Sequence, residues 1–114
     1  MENERENALR ERVIFLATDI APGGRGTYKY LENQTGIRAT SWRNVFIKKQ
    51  MPTIAMLMSL MDFRGQYAEW LLTGTEPLHG QAPSFERWEG FLRYRDWTRR
   101  HKNDDSIFAG RTPK

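Results

Sequence analysis

Five residues near the middle of the chain could contact the edges of DNA bases from one side of a helix, four of them through hydrogen bonds and one through a methyl group. They are Ala39, Thr40, Ser41, Arg43 and Asn44. An Arg side chain pairs with two acceptors of guanine, an Asn side chain pairs with adenine, and small methyl groups contact the methyl of thymine. We therefore expect this segment to contact base edges in a DNA groove.

The segment lies inside the most basic window of the chain. Residues 25–50 carry six basic side chains and one acidic one, whereas the net charge of all 114 residues is only +4. A local basic patch on a nearly neutral chain favours a polyanionic partner. Lys48, Lys49 and Gln50 directly follow the segment and suit phosphate oxygens. A solvated charged face is the alternative interpretation of the charge alone.

Helices position these side chains, because apolar residues recur at helical spacing and no alternating run typical of a strand occurs. We predict an all-α fold, in which Thr27 and Ser84 are N-caps and Gly36 ends a helix in a left-handed conformation. The predicted helices cover about 3–19, 27–34 and 39–47, a fourth that begins after Pro52-Thr53, a fifth that ends at Gly74, and a sixth over 84–102.

The fourth helix carries an apolar stripe at positions i, i+3, i+4 and i+7. The stripe consists of Ile54, Leu57, Met58 and Met61, and this spacing predicts the face that packs into the core. Without any Cys in the chain, we interpret the methionines as gap-filling core residues rather than soft-metal ligands.

A short helix, a tight turn and a second short helix form the unit whose second helix enters the DNA major groove. Gly36 supplies the residue that tolerates positive φ, and Ile37 supplies the apolar corner. Trp42 and Val45, with Phe46, are expected to bury the inner face of the second helix. A Trp stacked on a base is a weaker interpretation than a Trp in the core.

The stretch TYKYLENQTGIRATSWRNVFIKKQMPTIAMLMSLMDFRGQYAEWLLTG carries a family resemblance in its Gly-Ile turn and its closing WLLTG. Over about residues 5–74 the chain resembles the lambda-repressor-like (Xre-type) helix-turn-helix domain of phage and bacterial transcription regulators. The resemblance implies a compact bundle of five helices and sequence-specific DNA binding as a dimer. With the helix over 84–102, the expected fold is therefore a five-helix lambda-repressor-like bundle with an additional C-terminal helix.

The resemblance also assigns residues to the interface. It adds Arg38 to the base-reading set, and it places Thr27 and Tyr28 at the start of the first motif helix, which in the family contacts phosphate. The full set of expected phosphate contacts is Arg25, Thr27, Tyr28, Lys29, Lys48, Lys49 and Gln50. The chain departs from the family pattern in having Tyr28 where a polar Gln is common and Lys48 where Gly is common. Lys48 could extend the recognition helix or add a phosphate contact.

Catalysis and cofactor binding are not expected. The chain has no Cys, and His79 and His101 lack acidic or His neighbours at ligand spacing, so we predict no enzyme activity, no cofactor and no metal site. The glycine-rich segment 23–26 lacks the strand and the Gly-Lys-Ser/Thr ending of a phosphate loop, and Asp104-Asp105 is expected to be solvated. No apolar run is long enough to span a bilayer, and a cytoplasmic location is expected.

The last predicted helix is rich in aromatic residues, and three interpretations of it are open. It could cover the core, it could dimerise, or its arginines at 93, 99 and 100 could touch DNA. We favour dimerisation, because an exposed apolar patch is costly and a single recognition helix reads few bases. The candidate dimer residues are Trp88, Phe91, Leu92 and Trp97.

The sequence thus predicts a DNA-binding domain over 1–74, a linker over 75–83, a C-terminal helix over 84–102 and a tail over 103–114. We expect a transcriptional regulator, a repressor of phage or bacterial genes, that binds a palindromic double-stranded operator as a homodimer. The competing hypothesis is an antitoxin or another protein-interaction module on the same fold, with a toxin or the transcription machinery as its partner.

Overall fold

The computed structural model describes residues 3–21 and 25–100, without the side chains of residues 98–100. The all-α prediction is confirmed over these ranges, which contain helices and no strand. The helices are α1 (Glu4–Ile20), α2 (Thr27–Thr35), α3 (Ala39–Phe46), α4 (Ile54–Arg64), α5 (Ala68–Thr73) and α6 (Phe85–Arg100), and a short 3-10 turn (Gly65–Tyr67) joins α4 to α5.

The chain divides into two units, Met1–Ala82 and Pro83–Lys114. In the first unit α1 is the central helix, since it packs against α3, α4 and α5. Five consecutive residues of α1, from Val13 to Ala17, are buried, so the helix is enclosed on all sides near its middle. Leu31, Trp42, Met56, Leu60 and Leu71 bring the other helices into the same core.

Several predicted helix ends are confirmed. Gly36 ends α2 with φ of 78°, and Thr53 caps α4 by accepting a hydrogen bond from the Met56 N–H at 3.1 Å. In the second unit Ser84 accepts the Arg87 N–H at 3.2 Å, as an N-cap does.

Thr27 is not the N-cap of α2. The cap is Gly26, with φ of 84°, and it makes no side-chain cap hydrogen bond. Because the chain enters α2 in the left-handed region, the capping position needs Gly, and Thr27 becomes the first residue of the helix.

The predicted apolar stripe of α4 is not its buried face, because Ile54 and Met58 are exposed and Leu57 and Met61 are only half-buried. Met56 and Leu60 are fully buried, whereas Ile54 is 73% exposed and Met58 is 65% exposed. Apolar residues occur on nearly every side of α4, so their spacing alone does not select the buried face. The core contact with α1 selects Met56 and Leu60, which are four residues apart on one side.

Candidate nucleic-acid interface

The turn between α2 and α3 consists of Gly36, Ile37 and Arg38, and the Thr35 hydroxyl holds it in place. This hydroxyl donates to the Leu31 carbonyl at 2.7 Å and accepts the Ile37 N–H at 3.1 Å. It also accepts the indole N–H of Trp42 at 3.2 Å, so it ties both helices and the turn to one oxygen. Sequence patterns gave no sign of Thr35, because the three bonds depend on how α2 and α3 meet.

A carboxylate of α2 caps the start of α3. Glu32 Oε1 accepts the Ala39 N–H at 3.1 Å, and the Arg38 carbonyl accepts the N–H groups of Ser41 and Trp42. Negative charge at this end also suits the helix dipole. The first turn of α3 is therefore fixed relative to α2 from two directions, by Glu32 at its start and by Thr35 through Trp42.

The outward face of α3 carries the predicted base-reading residues. Arg38, Thr40 and Arg43 are exposed, while Ala39 and Asn44 are half-buried at its margins. Ser41 lies four residues before the buried Val45, so it borders the inner face instead of sharing the outer one. The structure thus exposes Thr40 and Arg43 on α3 and Arg38 at the position directly before it, with Asn44 one turn after Thr40.

The backbone turns sharply after α3. Lys48 has φ of 67°, the only positive φ of a non-glycine residue among those described, so it ends the helix and does not extend it. The carbonyl of Asn44 accepts the N–H groups of Lys49 and Gln50 at 2.7 and 3.2 Å. This tight turn places the three polar residues directly beside the end of α3.

Two of the predicted phosphate contacts have acidic neighbours. Lys48 Nζ lies 3.4 Å from Glu11 Oε2, and Lys29 Nζ lies 3.9 Å from Glu32 Oε2. The Lys29 side chain is 68% exposed, and at this exposure the ion pair holds it only weakly. Both ammonium groups therefore remain close to solvent and able to exchange partners.

The start of α2 is less polar than expected. The ring of Tyr28 packs edge-on against Phe46 of α3, with 5.1 Å between ring centroids. Tyr28 and Thr27 are half-buried, whereas Arg25 and Lys29 are exposed. Arg25 borders residues 22–24 of the glycine-rich loop, which lie outside the described residues.

A buried arginine of α1 contacts the WLLTG segment at the end of α5. Arg12, 7% exposed, donates from Nε to the Leu71 carbonyl at 2.7 Å and so satisfies an end carbonyl of α5. Burial lowers the pKa of the Arg12 guanidinium. Gly74 has φ of 74°, which favours Gly, and a Cβ there would lie 2.6 Å from the terminal Nη1 of Arg12, so a larger residue would also displace this guanidinium.

Most of the predicted linker belongs to the first unit, which extends to Ala82. Glu69 accepts the backbone N–H groups of Leu78 and His79 at 2.9 Å each, and these two bonds lower the pKa of the Glu69 carboxyl. Gln81 donates its N–H to the carbonyl of Gln66 at 2.8 Å. Residues 75–82 are thus irregular in backbone, as predicted, but held by specific hydrogen bonds.

In the second unit, the four candidate dimer residues do not share one face of α6. Trp88 and Phe91 stack with 5.5 Å between centroids, and Leu92 lies one turn after Trp88. Trp97 is nine residues from Trp88, which is two and a half helical turns, so it points the opposite way and is 43% exposed. Some predictions for the end of the chain concern residues that the structure does not describe. These residues are His101, Asp104-Asp105 and, for their side chains, Arg99 and Arg100.

No cluster of three or more potential metal-ligating residues occurs in the described part of the chain. No described helix is long and apolar enough to cross a membrane. Comparisons of the chain with models of protein families, with curated proteins and with solved structures found no match.

Proposed function

We infer that the protein is a sequence-specific DNA-binding transcription regulator of the lambda-repressor-like helix-turn-helix type. The observation that supports this most is the exposure of Thr40 and Arg43 on α3 and of Arg38 directly before it, on a helix whose start is fixed by Glu32 and Thr35. A rigid helix with hydrogen-bonding side chains near its N-terminus is what major-groove recognition requires.

Each exposed side chain has a definite recognition chemistry. Arg43 presents a planar guanidinium that fits the two acceptors of guanine, and Arg38 offers the same chemistry at the helix start. Thr40 contributes a hydroxyl and a methyl group, which suit a thymine methyl or a polar base edge. Asn44 pairs with adenine at the margin of this face, and Ala39 adds a methyl contact.

Phosphate binding follows from the cations that flank α3. Arg25, Lys29, Lys48 and Lys49 are exposed and supply the charge that releases counterions from DNA. If all four contact phosphates, the logarithm of the binding constant falls with the logarithm of the salt concentration with a slope of about −3.6 per protomer. Half-buried Thr27, Tyr28 and Gln50 add neutral contacts to phosphate oxygens.

The proposed regulator binds a palindromic operator as a homodimer and represses transcription in the cytoplasm of a bacterium or a phage-infected cell. Two-fold pairing doubles the number of bases read, which a single eight-residue helix cannot supply alone. The stacked Trp88 and Phe91 of α6, with Leu92, are one candidate dimer contact.

A protein-interaction module, such as an antitoxin, is the second candidate. The outward apolar residues Ile54 and Met58 favour it, because exposed apolar side chains suit a protein partner better than a nucleic acid. Such a module has no need for exposed Arg38, Thr40 and Arg43 at and just before α3, and its binding lacks the steep salt dependence of DNA binding.

Selection from random DNA duplexes tests the proposal. We expect the wild-type protein to enrich a two-fold symmetric sequence, and Arg43→Ala to lose preference at one base pair of each half-site. Arg5→Ala is the matched control, since it removes an exposed arginine from the first turn of α1 rather than from α3. Enrichment of no sequence by the wild-type protein contradicts the proposal.

A further inference from the structure

An ion pair joins α1 to the turn that follows α3. Lys48 Nζ lies 3.4 Å from Glu11 Oε2, and the two residues belong to distant parts of the chain. The Lys48 side chain is 43% exposed, whereas the Glu11 side chain is only 17% exposed. A ligand in solvent can therefore approach the ammonium group, while the carboxylate is held against the protein.

The backbone on both sides of this ion pair is fixed. Glu11 lies between Arg10 and Arg12, which are both buried in the first unit, so α1 cannot carry the carboxylate outward. On the other side, the Lys48 N–H donates to the Val45 carbonyl at 3.1 Å. The part that can leave the ion pair is the side chain of Lys48, because its four-carbon stem is flexible.

The backbone conformation at position 48 also favours a role for the ammonium group. A φ of 67° is unfavourable for a residue with a Cβ, and strain of this kind is found most often where a side chain serves a ligand or a switch. A glycine would adopt this conformation without strain but would carry no cation. Lysine at this position therefore brings a charge to the end of α3 at the expense of local stability.

Glu11 and a phosphate group are alternative partners of the same ammonium group. Carboxylate and phosphate oxygens both accept charge-assisted hydrogen bonds from a lysine. We propose that Glu11 competes with DNA phosphate for Lys48, so that binding of a duplex requires this lysine to move from the carboxylate to a phosphate. This inference rests on the DNA-binding function proposed above, and it makes Glu11 a positioning residue that acts through Lys48.

The exchange acts on affinity rather than on base preference. Every duplex offers the same phosphate groups, so the loss of the contact with Glu11 has the same cost for each of them. A partly exposed ion pair shifts an equilibrium by about two- to fivefold. Glu11 therefore weakens binding to all duplexes alike, whereas the predicted base-reading residues distinguish one duplex from another.

Binding of a random-sequence duplex tests this inference. At roughly 0.1 M salt, charges more than about 10 Å from the contact are largely screened. We expect Glu11→Gln to bind the duplex about two- to fivefold more tightly than the wild-type protein. Glu11→Asp keeps the charge but shortens the side chain by one methylene group, so it should tighten binding by a smaller factor. It also serves as the second variant if Glu11→Gln fails to fold.

Two further variants identify the cause of the tighter binding. Glu6→Gln is the matched control, because it removes an exposed carboxylate from the same helix, and it should have little effect. Lys48→Gly removes the ammonium group and suits the φ of 67°. In the Lys48→Gly background, Glu11→Gln should act no more strongly than Glu6→Gln. Tighter binding that persists without Lys48 overturns the inference, as does unchanged or weaker binding in both Glu11 variants when Lys48 is present.

The outcomes for this exchange and for the proposed function are separable. If the wild-type protein enriches no sequence but Glu11→Gln still tightens the random duplex through Lys48, the sequence-specific function is wrong and the exchange is supported. If the wild-type protein selects an operator and Glu11→Gln acts no more strongly than Glu6→Gln, then only the exchange is wrong. If neither the wild-type protein nor Glu11→Gln binds any duplex, both are wrong.

Discussion

Replacing Thr35 by Val removes one hydroxyl and keeps the shape of the side chain. The substitution leaves two donors without their acceptor: the N–H of Ile37 and the indole N–H of Trp42, whose side chain is fully buried. An unsatisfied buried donor costs about 1–3 kcal/mol. Because the Ile37 N–H is only partly buried, we place the total loss at about 2–4 kcal/mol of the free energy of unfolding.

Thr73→Val is the matched control for this loss. The Thr73 hydroxyl also donates to a carbonyl four residues earlier, at 2.8 Å from Glu69 O, and also accepts a backbone N–H two residues later, at 3.2 Å from Thr75 N. The Glu69 carbonyl and the Thr75 N–H are exposed, so water replaces the lost hydrogen bonds. The loss in the free energy of unfolding should therefore stay within about 0.5–1 kcal/mol.

Urea denaturation followed by tryptophan fluorescence measures both variants. We expect the midpoint to fall clearly for Thr35→Val and little for Thr73→Val, with similar slopes. If the free energies of unfolding of the two variants differ by less than about 0.5 kcal/mol, then Thr35 does not hold the turn between α2 and α3. The fixed placement of α3 would then rest on Glu32 and on apolar packing alone.

Three other expectations concern backbone conformation and pH, and urea denaturation checks each of them. Lys48→Val should be less stable than Lys48→Gly by about 1–2 kcal/mol, because position 48 has φ of 67° and both variants lack the same ammonium group; equal stabilities would contradict this. Gly74→Ala should destabilise by about 1–3 kcal/mol through its positive φ and its contact with Arg12, whereas Gly90→Ala, which has open space within a helix, should not destabilise. The pKa of Glu69 is lowered by two backbone hydrogen bonds, so its contribution is complete above its ordinary value of 4.5 and is lost as the pH falls through the lowered value. The stability difference between the wild-type protein and Glu69→Gln should therefore shrink on acidification, and a difference that is constant with pH would refute the role of this carboxylate.

The sequence was sufficient to predict features that depend on local chemistry. The left-handed Gly36, the Thr53 cap and the buried pair of Trp42 and Val45 all follow from residues close together in the chain. Helix propensity, capping and a one-sided apolar pattern act over one or two turns, so short windows of sequence contain the information they need.

Features that depend on long-range packing were missed. No local pattern indicated a role for Arg12 of α1, which is buried and donates to the carbonyl of Leu71 in α5, 59 residues further along. In α4, Met56 and Leu60 have helical spacing just as the predicted stripe does, and the prediction left out these two fully buried residues while including the exposed Ile54 and Met58. Only the position of α1 decides between them.

The candidate interface shows the same division. The exposed Thr40 and Arg43 were predictable from α3 alone, since they lie opposite Trp42 and Val45. Glu32 was not, because its hydrogen bond to Ala39 spans the turn and depends on the angle between α2 and α3. Side-chain bonds to distant backbone groups leave no periodic signal.

Binding to the selected duplex and to its single-base variants tests the central claim most directly. Arg43→Ala should weaken binding and erase the preference at one base pair of each half-site. Lys49→Ala should weaken binding to all duplexes equally. It should also reduce the dependence of log affinity on log salt concentration by about 0.9 per protomer, because it removes one phosphate contact. If Arg43→Ala preserves every base preference and lowers affinity for all duplexes alike, then α3 does not read the sequence of DNA in the way proposed.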